Sequence, residues 1–387
     1  MIYLDFAATT PIHPQVMEVY TQVATRYFGN ASSLHDAGSS AKQIIEASTA
    51  VISKVMQASP KGLSFTSGAT ESNYLAIRAL LDGRTDNRKE IISSRMEHSS
   101  VINVLNRLSN RGYIIHWVKV LENGRIDLNH FDQLLSNQTA LVTIQHVNSE
   151  LGVIQPLYEI GERLKNVEVL YHSDCVQSFG KIPFNVQEMN LDAVSISAHK
   201  IYGPKGIGAV WINPDTNWKP IFNDQDQHKS LRFGTANTPG IAAFAAATKI
   251  IIADQAREFE RLETFRKAFI DGLKKTGKPF LVEGKSENQS PYILGARFPG
   301  LEGQFLMLEC SQAGLAISTG SACQVGSDKP NRSMKAIGRT DEEAREFVRF
   351  SFGMNVKEHH IPEIIEKIDL ILERHFSKVH RPIESKI

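Results

Sequence analysis

The sequence predicts an α/β protein with two units: a large one built on a mostly parallel sheet, and a smaller C-terminal α/β one. Three observations carry that expectation. Short apolar runs alternate with helix-period stretches from about residue 60 to 215, the pattern of strand–helix–strand crossovers that cover both faces of a sheet. The chain has 387 residues, more than the ~250–300 at which one core stops growing. Polar clusters also fall where the apolar runs end, which is where such sheets bind ligands.

In chain order, the candidate strands are 62–66, 90–93, 114–118, 141–145, 169–172, 193–197 and 207–212. Between them, 71–81 and 154–164 carry apolar residues at helical spacing. Only a short Gly/Pro connection joins the last two strands, so that pair is expected to be antiparallel, at an edge. A long helix is expected over 241–273, passing from Ala-rich to charged. Strands at 293–298 and 315–318 and helices at 341–347 and 361–376 then make the smaller unit. No internal repeat, low-complexity tract or heptad array interrupts this plan.

Bulk properties exclude several function classes. A formal charge of +1 gives no electrostatic reason to expect nucleic acid or an anionic membrane. No run approaches the ~18 apolar residues that span a bilayer. The start "MIYLDFAATTP" has no basic region before an apolar stretch, so no signal peptide is expected. Three cysteines, Cys175, Cys310 and Cys323, are too few and too scattered for a disulfide framework or a four-ligand zinc site. A reducing cytoplasm is the expected compartment.

The polar clusters are "TSGATES" (66–72), "MEHSS" (96–100), "QHVNSELG" (145–152), "HSDCVQ" (172–177) and "SAHK" (197–200). The first starts a helix directly after a strand, at Gly68, Ala69 and Thr70, where free N–H groups and the helix dipole favour an anion. An ordinary helix cap explains it equally well. Asp174 ends an apolar run, where a carboxylate is costly unless paired; Gln177 follows three residues on. Lys200 at a strand end would be desolvated, its amine pKa lowered and its nucleophilicity toward carbonyls raised, whereas Lys205 belongs to a Gly/Pro turn. His98, His146 and His172 leave open a general base, a structural role or a histidine–carboxylate metal site. Cys323 lies in "STGSACQVGSDKP" (318–330), a small-residue polar loop with few apolar neighbours, and is the candidate reactive thiol. Cys310 and Cys175 read as core. Arg349, between phenylalanines in "VRFSFG", suits bidentate grip of a carboxylate, although a surface ion pair would look the same.

Together these segments resemble the pyridoxal-phosphate-dependent cysteine desulfurases, on the aminotransferase type I scaffold. The resemblance runs through "YLDFAATTP", "FTSGATESNYLAI", "MEHSSV", "HVNSELGVIQP", "HSDCVQSFGK", "SAHKIYGPKGIGA", "RFGT", "STGSACQVGSDKP" and "VRFSFG", nearly the whole chain and in order. The loop around Cys323, about 318–332, is similar to the longer version of the iron–sulfur-assembly desulfurases. The resemblance implies a large domain over 12–257 and a small domain over 1–11 and 258–387 that carries this loop.

It further implies pyridoxal 5'-phosphate on Lys200, its phosphate held by Thr70, Ser197, His199 and the backbone at Ala69. Asp174 would pair with the pyridine nitrogen and Gln177 with the phenolic oxygen, close to Asn148. His98 would stack on the ring and take part in proton transfer. Thr235 of "RFGT" would reach the phosphate held by the other subunit of a homodimer. Asn30, Asn148 and Arg349 would hold the substrate, L-cysteine. Cys323 would take the sulfur of L-cysteine as a persulfide, leaving L-alanine, and hand it to an acceptor protein, an iron–sulfur scaffold or client.

The chain departs from the family pattern at 221–235, where a glycine-rich segment is common. It departs also at Phe233, Cys175 and Ala31. These departures suggest a specialised paralogue, for which the iron–sulfur enzyme quinolinate synthase of NAD biosynthesis is one client of the right kind. The rivals are another enzyme of the same scaffold (a selenocysteine lyase or an aminotransferase), a silent scaffold protein and the metal site.

Overall fold

The apolar runs between residues 62 and 212 assemble into one sheet, and the computed structural model describes residues 1–221, 231–284, 287–320 and 330–379. The chain opens with β1 (Ile2–Tyr3), α1 (Pro14–Arg26) and α2 (Asp36–Val55). The sheet-forming stretch follows as β2 (Leu63–Thr66), α3 (Ala69–Gly83), β3 (Glu90–Ser94), α4 (Ser99–Ser109), β4 (Ile114–Val118), α5 (Leu128–Leu134), β5 (Thr139–Thr143), α6 (Leu157–Leu164), β6 (Leu170–Asp174), β7 (Ala193–Ser197) and β8 (Gly208–Ile212). Helices α7 (Thr238–Ala253) and α8 (Gln255–Lys275) lead to β9 (Leu281–Val282), β10 (Ile293–Arg297), α9 (Gly303–Gln312) and β11 (Leu315–Ala316). The last elements are α10 (Arg332–Ala336), α11 (Asp341–Arg345), β12 (Phe347–Ser351) and α12 (Ile361–Val379).

The large sheet has the order β2-β8-β7-β6-β5-β3-β4. Pairings among β3, β4, β5, β6 and β7 are parallel. The expected antiparallel pair is β7 with β8, but β8 is not the edge: it is also antiparallel to β2, which lies outside it. Strands β5, β7 and β8 are buried along their whole length, as a sheet covered on both faces requires. Helix α3 packs across β6, β7 and β8 through buried Leu75, Ala76, Ala79 and Leu80. Removing one such leucine side chain costs about 2–5 kcal/mol.

The smaller part holds an antiparallel sheet, β12-β10-β9, and the parallel pair β1–β11. Two expectations change here. The helix foreseen over 241–273 is two helices, because Asp254 (φ −121°) leaves helical geometry and serves as the end of α7 and the start of α8. Helix α7 is buried on most of its surface while α8 buries one stripe, so a single straight rod would not serve both. The helix foreseen over 341–347 stops at Arg345. Thr340 and Glu343 close a capping box at its start, and Phe347–Ser351 then goes fully buried into β12, where aromatic and β-branched residues fit a pleated core strand better than a helix turn. Among the described residues no helix is long and apolar enough to cross a membrane.

Candidate active site

The carboxyl ends of the large sheet open into a cavity of about 490 Å³, lined among others by Gly68, Ala69, Thr70, His98, Asp174, Gln177, His199, Lys200 and Arg349. Lys200 sits in the single 3-10 turn that follows β7. Its amine is not in bulk solvent: Nζ donates to the carbonyls of Ala7 and Ala8 at 2.5 and 2.7 Å. Lys205 is exposed and also reaches the cavity lining.

Asp174, the last residue of β6, is 7 % exposed. Its Oδ2 accepts from Asn73 Nδ2 at 2.8 Å and its Oδ1 from the Val176 N–H at 3.0 Å. Asn73 Nδ2 also donates to Ser100 Oγ at 2.9 Å, and Ser100 Oγ lies 2.8 Å from His98 Nδ1. Since Ser100 Oγ accepts from Asn73, its own hydrogen goes to His98 Nδ1, which also accepts the Ser100 N–H at 3.2 Å. That leaves neutral His98 with its proton on Nε2. Burial holds the His98 pKa below the ordinary histidine value; the Asp174 charge pulls the other way and those of Lys200 and Arg332 add to the lowering.

The start of α3 also lines the cavity. Gly68 is its N-cap, contributes no side-chain cap and has φ +153°, a backbone state that side chains resist. The first N–H groups of α3 therefore lack the usual side-chain acceptor. Ala69 is half-buried and Thr70 exposed. Ser197, ending β7, is not among the residues lining the cavity; it pairs with Gly208, which pairs in turn with Thr66 just before α3, and its buried Oγ has no hydrogen-bond partner. His199 Nδ1 lies 3.1 Å from Thr9 Oγ1. Burial, with the charges of Lys200, Lys205 and Lys181, pushes the His199 pKa down to about 3, so this imidazole is neutral.

Arg349 comes from β12 and is 3 % exposed. It is a buried ion pair and not a surface one: Nη2 contacts Asp5 Oδ1 at 2.6 Å and Nη1 donates to the Ser149 carbonyl at 2.9 Å. Gln177 Nε2 donates to the Ala7 carbonyl at 2.9 Å.

Other residues singled out in the sequence stand apart from the cavity lining. Asn148 is buried, but its amide is spent on Met96, Ser333 and the N–H groups of Glu150 and Leu151, so it shapes the loop after β5. Asn30 and Thr235 are exposed. Cys323 lies outside the described residues. His172 spans Thr143 and Ser195 and His146 packs its ring on Phe184; both serve the core. Among the described residues no group of three or more His, Cys, Asp or Glu could hold a metal ion. Cys175 and Cys310 are buried, and desolvation pushes each thiol up to about 12.

Sequence reasoning missed the carbonyls of Ala7 and Ala8, the Asp5 partner of Arg349 and the Asn73–Ser100 relay. Carbonyls carry no residue signature. Asn73, a polar residue on the buried face of an apolar helix, was a signal within reach.

Comparison with known proteins extends this picture. The profile of the aminotransferase class-V family matches residues 2–364. The chain is 40% identical over 376 residues to the putative cysteine desulfurase NifS of Bacillus subtilis (strain 168), covering 97% of this chain and 95% of that one. A solved NifS-like protein superposes with a TM-score of 0.89 at 30% identity, over 96% of this chain and 99% of that one. SspA, solved in complex with cysteine, superposes with a TM-score of 0.80 at 30% identity, over 91% and 99%.

Proposed function

The chain belongs to the aminotransferase class-V family and groups with its cysteine desulfurases, and from that premise we propose that its cavity binds pyridoxal 5'-phosphate and takes sulfur from L-cysteine, leaving L-alanine. One observation carries the reading: a single cavity is lined by the uncapped start of α3, by a buried carboxylate and by a lysine. The residues present fit the cofactor. Ser197 Oγ is orphaned beside an α3 start without a side-chain cap, as a phosphate site requires. Asp174, already fixed by Asn73 and Val176, can keep a ring nitrogen protonated. When bound, the cofactor supplies an electron sink that acidifies the substrate Cα–H and loosens its Cβ–S bond.

The chain's own residues would then divide the work. Ala69, Thr70, Ser197 and His199 hold the phosphate, and Gln177 donates to the phenolic oxygen. Lys200 anchors the cofactor and, once freed, takes the Cα proton on Nζ. His98, with Nδ1 occupied, offers Nε2–H to the cavity. Arg349 grips the substrate carboxylate through the Nη hydrogens that Ser149 and Asp5 leave over. Asn30 and Thr235 are both exposed; Asn30 is assigned to the substrate carboxylate, and Thr235 to the phosphate held by the other subunit of a homodimer.

Sulfur transfer needs a thiolate. With Cys175 and Cys310 both buried and pushed up to about 12, the role is assigned to Cys323. Its thiolate forms an S–S bond to the substrate sulfur as the Cβ–S bond breaks. The electron pair returns to the carbon frame, which is protonated to alanine. The persulfide passes to an acceptor protein, an iron–sulfur scaffold or client. Cofactor-loaded protein incubated with L-cysteine should yield alanine and one extra sulfur mass on Cys323. Cys323→Ala should keep the visible absorbance and lose alanine production; undiminished alanine from that variant would sink the assignment.

A further inference from the structure

Lys181 has no part in that scheme, yet it is 4 % exposed, in the run of turns over 176–181 that follows β6. Among the described residues no carboxylate neutralises it. Burial, with the charges of Lys200 and Arg349, pushes its amine down to about 7, so placing it here is costly. Its Nζ donates to Gln177 Oε1 at 3.2 Å and lies 5.5 Å from the centroid of the Tyr292 ring.

A glutamine amide can face either way, because its oxygen and nitrogen are nearly the same size. A protonated lysine removes the ambiguity from one side, since it has hydrogens to donate and nothing that accepts. Even the neutral amine keeps N–H groups for Oε1. We propose that Lys181 is a positioning residue: it holds Gln177 Oε1 away from the cavity so that Gln177 presents N–H, and never C=O, to what binds there. The Ala7 carbonyl supports the same orientation by accepting from Nε2 at 2.9 Å, but it also accepts from Lys200. One Nε2 hydrogen remains for the cavity that Gln177 lines. A flipped amide would set two acceptors against each other at Ala7 and, whenever Lys181 is protonated, two donors against each other at Lys181.

The inference rests on the proposed cofactor, whose phenolic oxygen would receive that hydrogen. Its test is titration of the apoprotein with pyridoxal 5'-phosphate, read by affinity and by the visible absorbance of the complex, with thermal unfolding followed in parallel. Lys181→Met should weaken cofactor binding about 3- to 10-fold, the weight of one hydrogen bond, and displace the visible band. Gln177→Glu keeps an acceptor toward Lys181 but offers no N–H, and should displace the band in the same direction. Wild-type affinity and absorbance in a folded Lys181→Met would overturn the role of Lys181. The same result in Gln177→Glu would overturn it independently, whether or not the methionine variant folds. A wild-type protein that takes up no cofactor would instead remove the functional reading beneath both.

Discussion

The two ends of the cavity are built in opposite ways. At one end Asp174 is buried and its oxygens already accept from Asn73 and Val176, with Ser100 and His98 fixed behind Asn73. At the other, the start of α3 has no side-chain cap, Thr70 is exposed and Ser197 Oγ has no partner. One end is complete without a ligand and the other is completed by one. A charge that must stay put during chemistry benefits from fixed dipoles that need no rearrangement. A binding contact can be left open, because the ligand satisfies it. The signs are also opposed, helix dipole against carboxylate, so the favoured occupant is anionic at one end and protonated at the other.

The sharpest way to break this contrast is Asp174→Asn. The shape is kept and Asn73 can still donate to the remaining oxygen, so the fold should persist and the cofactor should still bind. Turnover of L-cysteine should nevertheless fall about 10²–10³-fold, the usual cost of removing one preorganised electrostatic group. Steady-state alanine release measures it. Activity within about tenfold of wild type would mean that the complete end contributes position and not charge.

Ser197→Ala probes the open end, and a smaller effect is expected. Ser197 is 1 % exposed and its Oγ makes no hydrogen bond within the protein. Deleting it removes an unsatisfied polar atom, so the melting temperature should hold or rise. Cofactor affinity should fall about 3- to 10-fold, one hydrogen bond's worth. A variant that loses stability while keeping affinity would reassign Ser197 to the core.

The two ends were also unequally legible in sequence. The sheet could be read because its strands are apolar runs bracketed by polar clusters, and Asp174 and Lys200 stand out as charges where such runs stop. The strand Phe347–Ser351 was hidden because it follows the helix Asp341–Arg345 after one residue, closer than any periodicity window resolves. The break at Asp254 involves neither Gly nor Pro, the usual markers. What holds Lys200 and Gln177 is main-chain carbonyl from Ala7 and Ala8, contributed by a segment more than 165 residues earlier in the chain. Asn30 and Thr235 took their roles from resemblance alone, and both are exposed, away from the lining of this chain's own cavity.

The smallest expected effect concerns pH, and it ties the contrast to one proton. His98 lies on the complete side, where burial lowers its pKa and the Asp174 charge partly offsets that. A histidine with a lowered pKa is neutral above that value and gains its proton only when the pH falls through it. Titration from about pH 8 down to about 6.5, the ordinary histidine value, should therefore leave His98 neutral and the rate little changed by it. The acid limb of the turnover profile should lie below that range. In Asp174→Asn the larger of the two opposing charges is gone and only that of Glu150 remains against desolvation and the Lys200 and Arg332 charges, so the limb due to His98 should move further toward acid. A limb that stays in place when Asp174 is replaced would show that His98 does not sense the carboxylate through Ser100 and Asn73, and that the complete end is two independent pieces.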